Sequence, residues 1–522
     1  MKRRDFLRKS VPAGVMLPSL VSGFSFRAFS ADSAIMQSLL LPVTETDHVF
    51  VIIQLNGGND GLNMVVPIEN FSNYANARPN IYIPEKQTLA LNGKVALHPS
   101  MIGLKSMYDE GQLRVVQSVG YPQPSYSHFR ATDIWMSASD SNQTVNSGWA
   151  GRYLNYEYPN FPNGYPNATM QDPLAIQIGS ATSLTLQGPA VSMGMSISNT
   201  SNFYNLINGI QDPAPDTPAG KELTFIRTIA QQTQQYAAVI KDAASKTVQQ
   251  VSYPIKNSLG DQLKIVARLI KGGLKTRVYM VNYGGFDTHS AQVDSVDNTQ
   301  GHHATLLMNV SDAIKAFQDD LKFLGVQERV VGMTFSEFGR RIKSNGSDGT
   351  DHGSAAPLFV FGKNVIGGVL GDTPILPANA TVNDNLPFQY DFRSVYSTIL
   401  ANWLCVNDLD LQQIMLKNFQ ILPLVNAGGC RKAVNLSGDM LISNYPNPFV
   451  SSTVITFTTA GGHTLIQIMD TTGRVMANLT DKEYTAGTYT VVFNGESLPT
   501  GVYYARLQNL ATQQVRAMIK AR

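Results

Sequence analysis

Val278-Tyr-Met-Val-Asn-Tyr-Gly-Gly-Phe-Asp-Thr-His-Ser-Ala-Gln292 and, one helix later, Val330-Val-Gly-Met-Thr-Phe-Ser-Glu-Phe-Gly-Arg-Arg341 decide the fold. Each opens with an apolar run of the kind that a strand buried on both faces of a parallel sheet shows. Between them Leu306, Leu307, Val310, Ile314, Phe317, Leu321 and Leu324 are spaced as one face of a helix. Strand, helix and strand make a β-α-β unit with a right-handed crossover. The sequence thus predicts an α/β domain with a mostly parallel central sheet. Both runs end in turns that carry acids and an imidazole, Asp287, His289 and Glu337, and Gly349-Thr-Asp-His-Gly353 follows with Asp351 and His352. The crevice beyond the carboxyl ends of such strands is where open α/β sheets bind ligands. Carboxylates and imidazoles converging there suit a divalent cation.

Upstream, His48-Val-Phe-Val-Ile-Ile-Gln-Leu55 is a further strand, ending in Asn56-Gly-Gly-Asn-Asp-Gly-Leu-Asn63. Asp60 is either a metal ligand or the cap of a following helix. Met101 to Glu110 reads as a helix and Leu113 to Val119 as a strand. The loop after it holds Ser125, Ser127, His128 and Arg130 ahead of an amphipathic stretch. A hydroxyl at a helix N-terminus is either a plain cap or a nucleophile activated by a metal or base. Residues 140–220 read as an irregular excursion with short β-like pieces such as Leu174 to Ile178. Helices are expected over 222–247, 259–270 and 391–404. Of the eight histidines, His128, His289, His302, His303 and His352 fall in loops beside these motifs.

The ends differ from this domain. Residues 1–31 read as an export signal: Lys2-Arg-Arg-Asp-Phe-Leu-Arg8 has a twin-arginine arrangement, and the uncharged segment 11–24 is too short to span a bilayer. Residues 438–522 read as a β-sandwich of short alternating strands between Gly turns, without clustered chemistry. Its lone His463 is expected in a Gly-Gly-His turn. Charged residues make up 15% of the chain and the net charge is +2, which gives no electrostatic case for nucleic acid. No transmembrane segment is expected. Cys405 and Cys430 either pair, as export would permit, or are two buried thiols.

Two resemblances follow. Asn444-Tyr-Pro-Asn-Pro-Phe449, Asp470-Thr-Thr-Gly-Arg474 and Leu498-Pro-Thr-Gly-Val-Tyr503 resemble the type-A sorting domain of the type IX secretion system. That implies handling by this machinery and a secreted or cell-surface location. Residues 45–427 resemble the exported bacterial family called domain of unknown function 1501. The segments carrying this are Gly57-Gly-Asn-Asp60, Ser127-His-Phe129, Phe286-Asp-Thr-His289, Ser336-Glu-Phe-Gly-Arg340 and Gly349-Thr-Asp-His-Gly353.

The family is grouped with the alkaline phosphatase and sulfatase superfamily, which implies an alkaline-phosphatase-like α/β sandwich. It also implies metal ligation by Asp60, Asp287, His289, Asp351 and His352. Ser127, ahead of Ser125, takes the nucleophile's place, with His128 as a catalytic neighbour and Arg130, Arg340 or Arg341 steadying the oxyanion. The implied cofactor is a divalent metal, zinc before manganese or calcium. The implied activity is hydrolysis of phosphate or related esters on a small-molecule or polysaccharide-linked substrate. The alternative is a non-catalytic surface protein, binding or adhesive, that retains the fold. No histidine follows His352 in the main domain, so the family's final ligand is missing unless His128, His302, His303, Glu337 or Asp391 replaces it. A Cys/Ser-x-Pro-x-Arg signature is absent, so a formylglycine sulfatase is not expected.

Overall fold

The computed structural model describes residues 46–198, 236–426 and 430, most of 440–521, and two short strands, Leu20–Val21 and Phe24–Ser25, that pair with each other. Apart from those strands, the expected export signal lies outside the described residues. Two compact units are present, one holding Val43–Cys430 and the other Arg431–Arg522.

The first unit is built on a nine-stranded sheet. Its strands are β1 (Val49–Asn56), β2 (Leu113–Gly120), β3 (Ala175–Ile178), β4 (Met195–Ile197), β5 (Val278–Gly284), β6 (Val330–Phe335), β7 (Ala356–Phe361), β8 (Gly368–Leu370) and β9 (Tyr390–Asp391). They lie in the order β8-β2-β7-β6-β1-β5-β3-β4, with β9 also on β2. Neighbours run parallel except at β7, which is antiparallel to both β6 and β2. The expected β-α-β unit is present as β5, helix 302–323 and β6, and β1 lies between its two strands.

The longer helices are α1 (Phe71–Ala77), α2 (Ile102–Asp109), α3 (His128–Ser137), α4 (Trp149–Glu157), α5 (Ser258–Lys271), α6 (His302–Phe323), α7 (Phe392–Thr398) and α8 (Asp408–Met415). The twofold alternation of strand side chains sorts the core between the two faces of the sheet. Val49, Val51, Ile53 and Leu55 of β1 pack with Leu104 of α2, Val266 of α5 and Leu307, Ile314 and Phe317 of α6. Phe50 and Ile52 face the other way, against Trp135, Trp149, Tyr396 and Trp403. Each such side chain, fully buried, contributes about 1.5–3 kcal/mol. A mixed α/β fold with helices on both faces of a mostly parallel sheet is the result.

Two expectations change here. The stretch after 140 is less irregular than it reads: besides the expected short strand, present as β3 between β5 and β4, it supplies α4 and the edge strand β4, with Trp149 and Tyr153 in the core. The expected helix over 391–404 is α7 followed by a π-helical turn at Ile399–Trp403. The expected helix over 222–247 is described only from 236, where it runs to 245. Cys405 and Cys430 form a disulfide.

The second unit holds two antiparallel sheets. Met440–Tyr445, Ser452–Thr459 and Gly487–Asn494 make one; Val475–Tyr484, Gly462–Met469, Gly501–Asn509 and Thr512–Lys520 make the other. They have a core of their own that includes Phe449, Ile455, Phe457, Ile466, Ile468 and Phe493. His463 lies on a strand, not in a turn, with Nε2 3.1 Å from Asp481.

Candidate metal centre

The parallel strands β1, β5 and β6 end side by side, so the loops after Asn56, Gly284 and Phe335 open on one edge of the sheet. Because β7 runs the other way, its N-terminal end lies at that same edge. The hairpin of Arg340–Ser344 and Thr350–His352 connects the end of β6 to the start of β7 and so lies at this edge. The turn after β1 is tight. Gly57 (φ +122°) passes so close to the β5 loop that a Cβ on it would sit 2.4 Å from the Asp287 nitrogen.

At this edge His128, Asp287 and His352 offer ligand atoms that all lie within 4.8 Å of one another. His289 adjoins them, with Nε2 3.2 Å from Asp287 Oδ1 and 2.9 Å from His352 Nε2. The other imidazole contacts to Asp287 are 3.4 Å from His352 Nε2 to Oδ1 and 3.6 Å from His128 Nε2 to Oδ2. All three imidazoles are held from behind. Nδ1 of His128 meets the buried carboxylate of Glu337 at 2.8 Å, Nδ1 of His289 meets Asp351 at 3.3 Å, and Nδ1 of His352 meets the Tyr126 carbonyl at 2.8 Å. Each acceptor favours the tautomer with hydrogen on Nδ1, which turns the Nε2 lone pair toward Asp287. Three lone pairs and a carboxylate then face one another, an arrangement that a cation stabilises.

The separations suit such an ion. Ligand bonds of about 2.0–2.1 Å in a tetrahedron place neighbouring ligand atoms roughly 3.3 Å apart. The residues present therefore fit a divalent metal, with His128, Asp287 and His352 as the core of the ligand group.

Electrostatics support a charged Asp287. Burial pushes its carboxyl up, but the hydrogen bond and charge of Arg340, then His289 and His128, outweigh that and hold it below its ordinary value. Asp351 is also held down, first by the amide of Asn345, against partial burial, and then by His289. Burial lowers His352 and the Tyr126 carbonyl partly offsets it, so the neutral, ligating form is favoured.

The other expected residues sit elsewhere or act differently. Asp60 is fully buried, with both carboxylate oxygens on Arg78 Nη1 at 2.8 and 2.6 Å and Oδ2 also accepting from Gln292. A guanidinium is its counter-ion in this structure, so it stands apart from the cluster, and it makes no side-chain cap to the helix after it. Arg130 donates through Nη2 to the carbonyls of Asp140, Ser141 and Gln143. Arg340 is buried and donates to the carbonyls of Gly57, Gly58, Phe286 and Thr350 as well as to Asp287 at 2.7 Å, which makes it a positioning residue. Asp351 stands behind His289.

Among the substitutes for a final histidine, His128 reaches the cluster with Glu337 behind it. His302 bonds the Gly285 carbonyl, buried His303 bonds Asn59, and Asp391 caps α7 while pairing with Arg393. Ser127 occupies the N-cap position of α3, is exposed, and its hydroxyl makes no cap bond. It lies between Tyr126, whose carbonyl holds His352, and His128. Sequence reading missed Arg78, which no motif surrounds, and Phe338, whose ring packs 4.8 Å from that of His128 and 4.6 Å from that of His352.

Among the described residues no helix is long and apolar enough to cross a membrane. Solved structures similar to this chain include the PsFucS1 sulfatase from Pseudoalteromonas sp., at 10% identity, TM-score 0.31, covering 88% of this chain and 86% of that one. Others are a protein in the alkaline phosphatase superfamily from Vibrio parahaemolyticus (8%, 0.30, 91% and 82%) and the lipoteichoic acid synthase LtaP from Listeria monocytogenes (8%, 0.32, 80% and 86%). No curated protein matches the chain. Residues 443–521 match the secretion system C-terminal sorting domain, which indicates export by type IX secretion to the cell surface or beyond. Residues 47–406, well over half of the chain, match the family described as protein of unknown function (DUF1501), and the chain belongs to that family.

Proposed function

We propose that the protein is an exported, metal-dependent hydrolase of phosphate or related esters. The observation that carries this reading is the turning of three imidazole Nε2 atoms onto Asp287, with an uncapped, exposed serine beside them. His128, His289, His352 and Asp287 would hold the ion. A bound divalent ion supplies charge for the ester oxygens and lowers the pKa of a hydroxyl or water next to it.

The chain's own residues do the rest. Glu337, Asp351 and the Tyr126 carbonyl fix the rings, so their lone pairs stay oriented without reorganisation. Arg340 keeps Asp287 ionised and anchors the β1 and β5 turns to the hairpin. Ser127 stands at the first turn of α3, where the helix N-terminus favours an oxygen carrying negative charge, and it is the nucleophile in this reading. The N-terminal twin-arginine-like segment, followed by the sorting domain, is the proposed route out of the cell.

Elemental analysis of the purified protein, together with turnover of p-nitrophenyl phosphate, tests the proposal. Stoichiometric zinc is expected. Asp287→Asn with His352→Ala should remove both zinc and turnover, whereas Ser127→Ala should keep the metal and lower kcat at least 100-fold. A protein that takes up no metal after reconstitution would sink the reading, and undiminished turnover by Ser127→Ala would remove the serine from it.

A further inference from the structure

Asp287 and His289 reach the cluster on the loop after β5, whereas Asp351 and His352 reach it on the second strand of the hairpin. Each pair has a buried threonine beside it. Thr288 stands between Asp287 and His289, and Thr350 stands directly ahead of Asp351. Their two hydroxyls donate to one atom, the side-chain oxygen Oε1 of Gln292, at 2.9 and 3.0 Å. Gln292 is fully buried, and its Nε2 donates to Asp60 Oδ2 at 2.6 Å.

The direction of these bonds is forced. Arg78 donates to both oxygens of Asp60, and its Nε and Nη2 donate to the carbonyls of Ile342 and Arg341 on the first strand of the hairpin. A carboxylate paired in this way can only accept, so the NH2 of Gln292 must face it and Oε1 must face the threonines. One amide therefore ties the two ligand-bearing segments to each other and to the turn after β1. Ligands have to be held within about 0.5 Å of their places if an ion is to find them ready. We infer that Gln292 is a positioning residue of the metal centre: through Thr288 and Thr350 it sets the separation of Asp287 and His289 from Asp351 and His352, and it takes its own orientation from Asp60. Asp60 then serves the site from behind, as the anchor of this amide. The inference rests on the metal centre of the hydrolase reading, but it concerns register and metal affinity and is tested without turnover.

Two measurements test it: zinc affinity against a competing chelator, and hydrogen exchange of the Thr350 amide in the metal-free protein. That amide donates to the Thr288 carbonyl at 3.1 Å, so it reports whether the two segments stay together. Gln292→Met keeps the main-chain bonds that residue 292 makes with Asp348 and His303. It should weaken zinc roughly 10- to 100-fold, as loss of a partner behind metal ligands does, and should speed Thr350 exchange about 10-fold or more. Thr288→Val with Thr350→Val should reproduce both effects, whereas Thr288→Ser with Thr350→Ser keeps the hydroxyls and should restore zinc affinity. Unchanged zinc affinity in Gln292→Met and in the double valine variant would overturn the inference, even with faster exchange, because Gln292 would then support the fold and not the ligands. Equal losses in the double serine and double valine variants would overturn it too, since the hydroxyls would then carry nothing. A wild type that takes up no zinc would sink the hydrolase reading; faster Thr350 exchange in Gln292→Met would still uphold the positioning role, and unchanged exchange would end it.

Discussion

At the scale of single residues, the site depends on what stands behind each ligand. Glu337 is buried, accepts from the Gly57 amide at 2.9 Å, and holds His128 Nδ1. Glu337→Gln keeps the size but loses the charge that fixes the ring's tautomer, so metal affinity should fall roughly 10- to 100-fold, read by competition with a chelator of known affinity. A second prediction concerns His303, which burial pushes down to about 4 although nearby Asp60 partly offsets this. The unfolded chain binds a proton near pH 6.5 that the folded chain refuses until about 4. Stability should therefore fall as pH drops across that window, by at most on the order of 3 kcal/mol. His303→Gln can still donate to Asn59 and takes up no proton, so its urea midpoint should be flatter between pH 7 and 4 than that of the wild type. The motifs made Asp287, His289 and His352 visible because imidazoles recur beside acids at the ends of apolar runs, whereas an Asp alone in a Gly turn is ordinary. They did not show that Asp60 answers to Arg78, since that pairing joins a strand end to the end of a helix 18 positions along the chain.

At the scale of elements, hydrophobic pattern was a sufficient guide where burial is regular. The runs at 49–55, 278–283 and 330–335 became β1, β5 and β6, and the 305–324 stripe became α6, starting a turn earlier at His302. Strand direction was not legible, because an apolar run reads the same both ways, and the reversal of β7 emerges only from pairing. That reversal is what brings Asp351 and His352 to the edge where the parallel strands end. The turn after β1 carries the matching constraint. Gly57 adopts a positive φ and would place a Cβ 2.4 Å from the Asp287 nitrogen and 2.8 Å from the Phe286 carbonyl carbon, both of them backbone. Gly57→Ala must therefore separate the β1 and β5 loops. A loss of about 2–4 kcal/mol in denaturant unfolding, with weakened zinc binding, is expected. Unchanged stability would show that the two loops are not locked together.

At the scale of the whole molecule, chemistry and export are assigned to different units with different cores. The His/Asp cluster and the apolar layers on both faces of the sheet lie within Val43–Cys430, while the antiparallel sheets around Phe449, Phe457 and Phe493 lie within Arg431–Arg522. The first unit is closed near its end by the Cys405–Cys430 disulfide, whose bridged cysteines are 25 positions apart. By the chain-entropy argument such a loop contributes roughly 3 kcal/mol, and an oxidising compartment maintains it. If the division is functional as well as structural, ending the chain at residue 437 should leave a protein that folds with the same zinc content as the full chain, because it removes no residue of the first core. The same truncation should abolish release to the cell surface or medium, since the sorting domain is what type IX secretion handles. Reduction of the disulfide in that truncated protein should then lower its thermal midpoint without removing zinc, as neither cysteine touches the cluster. Loss of metal on truncation alone would show that the second unit supports the site and would refute this separation.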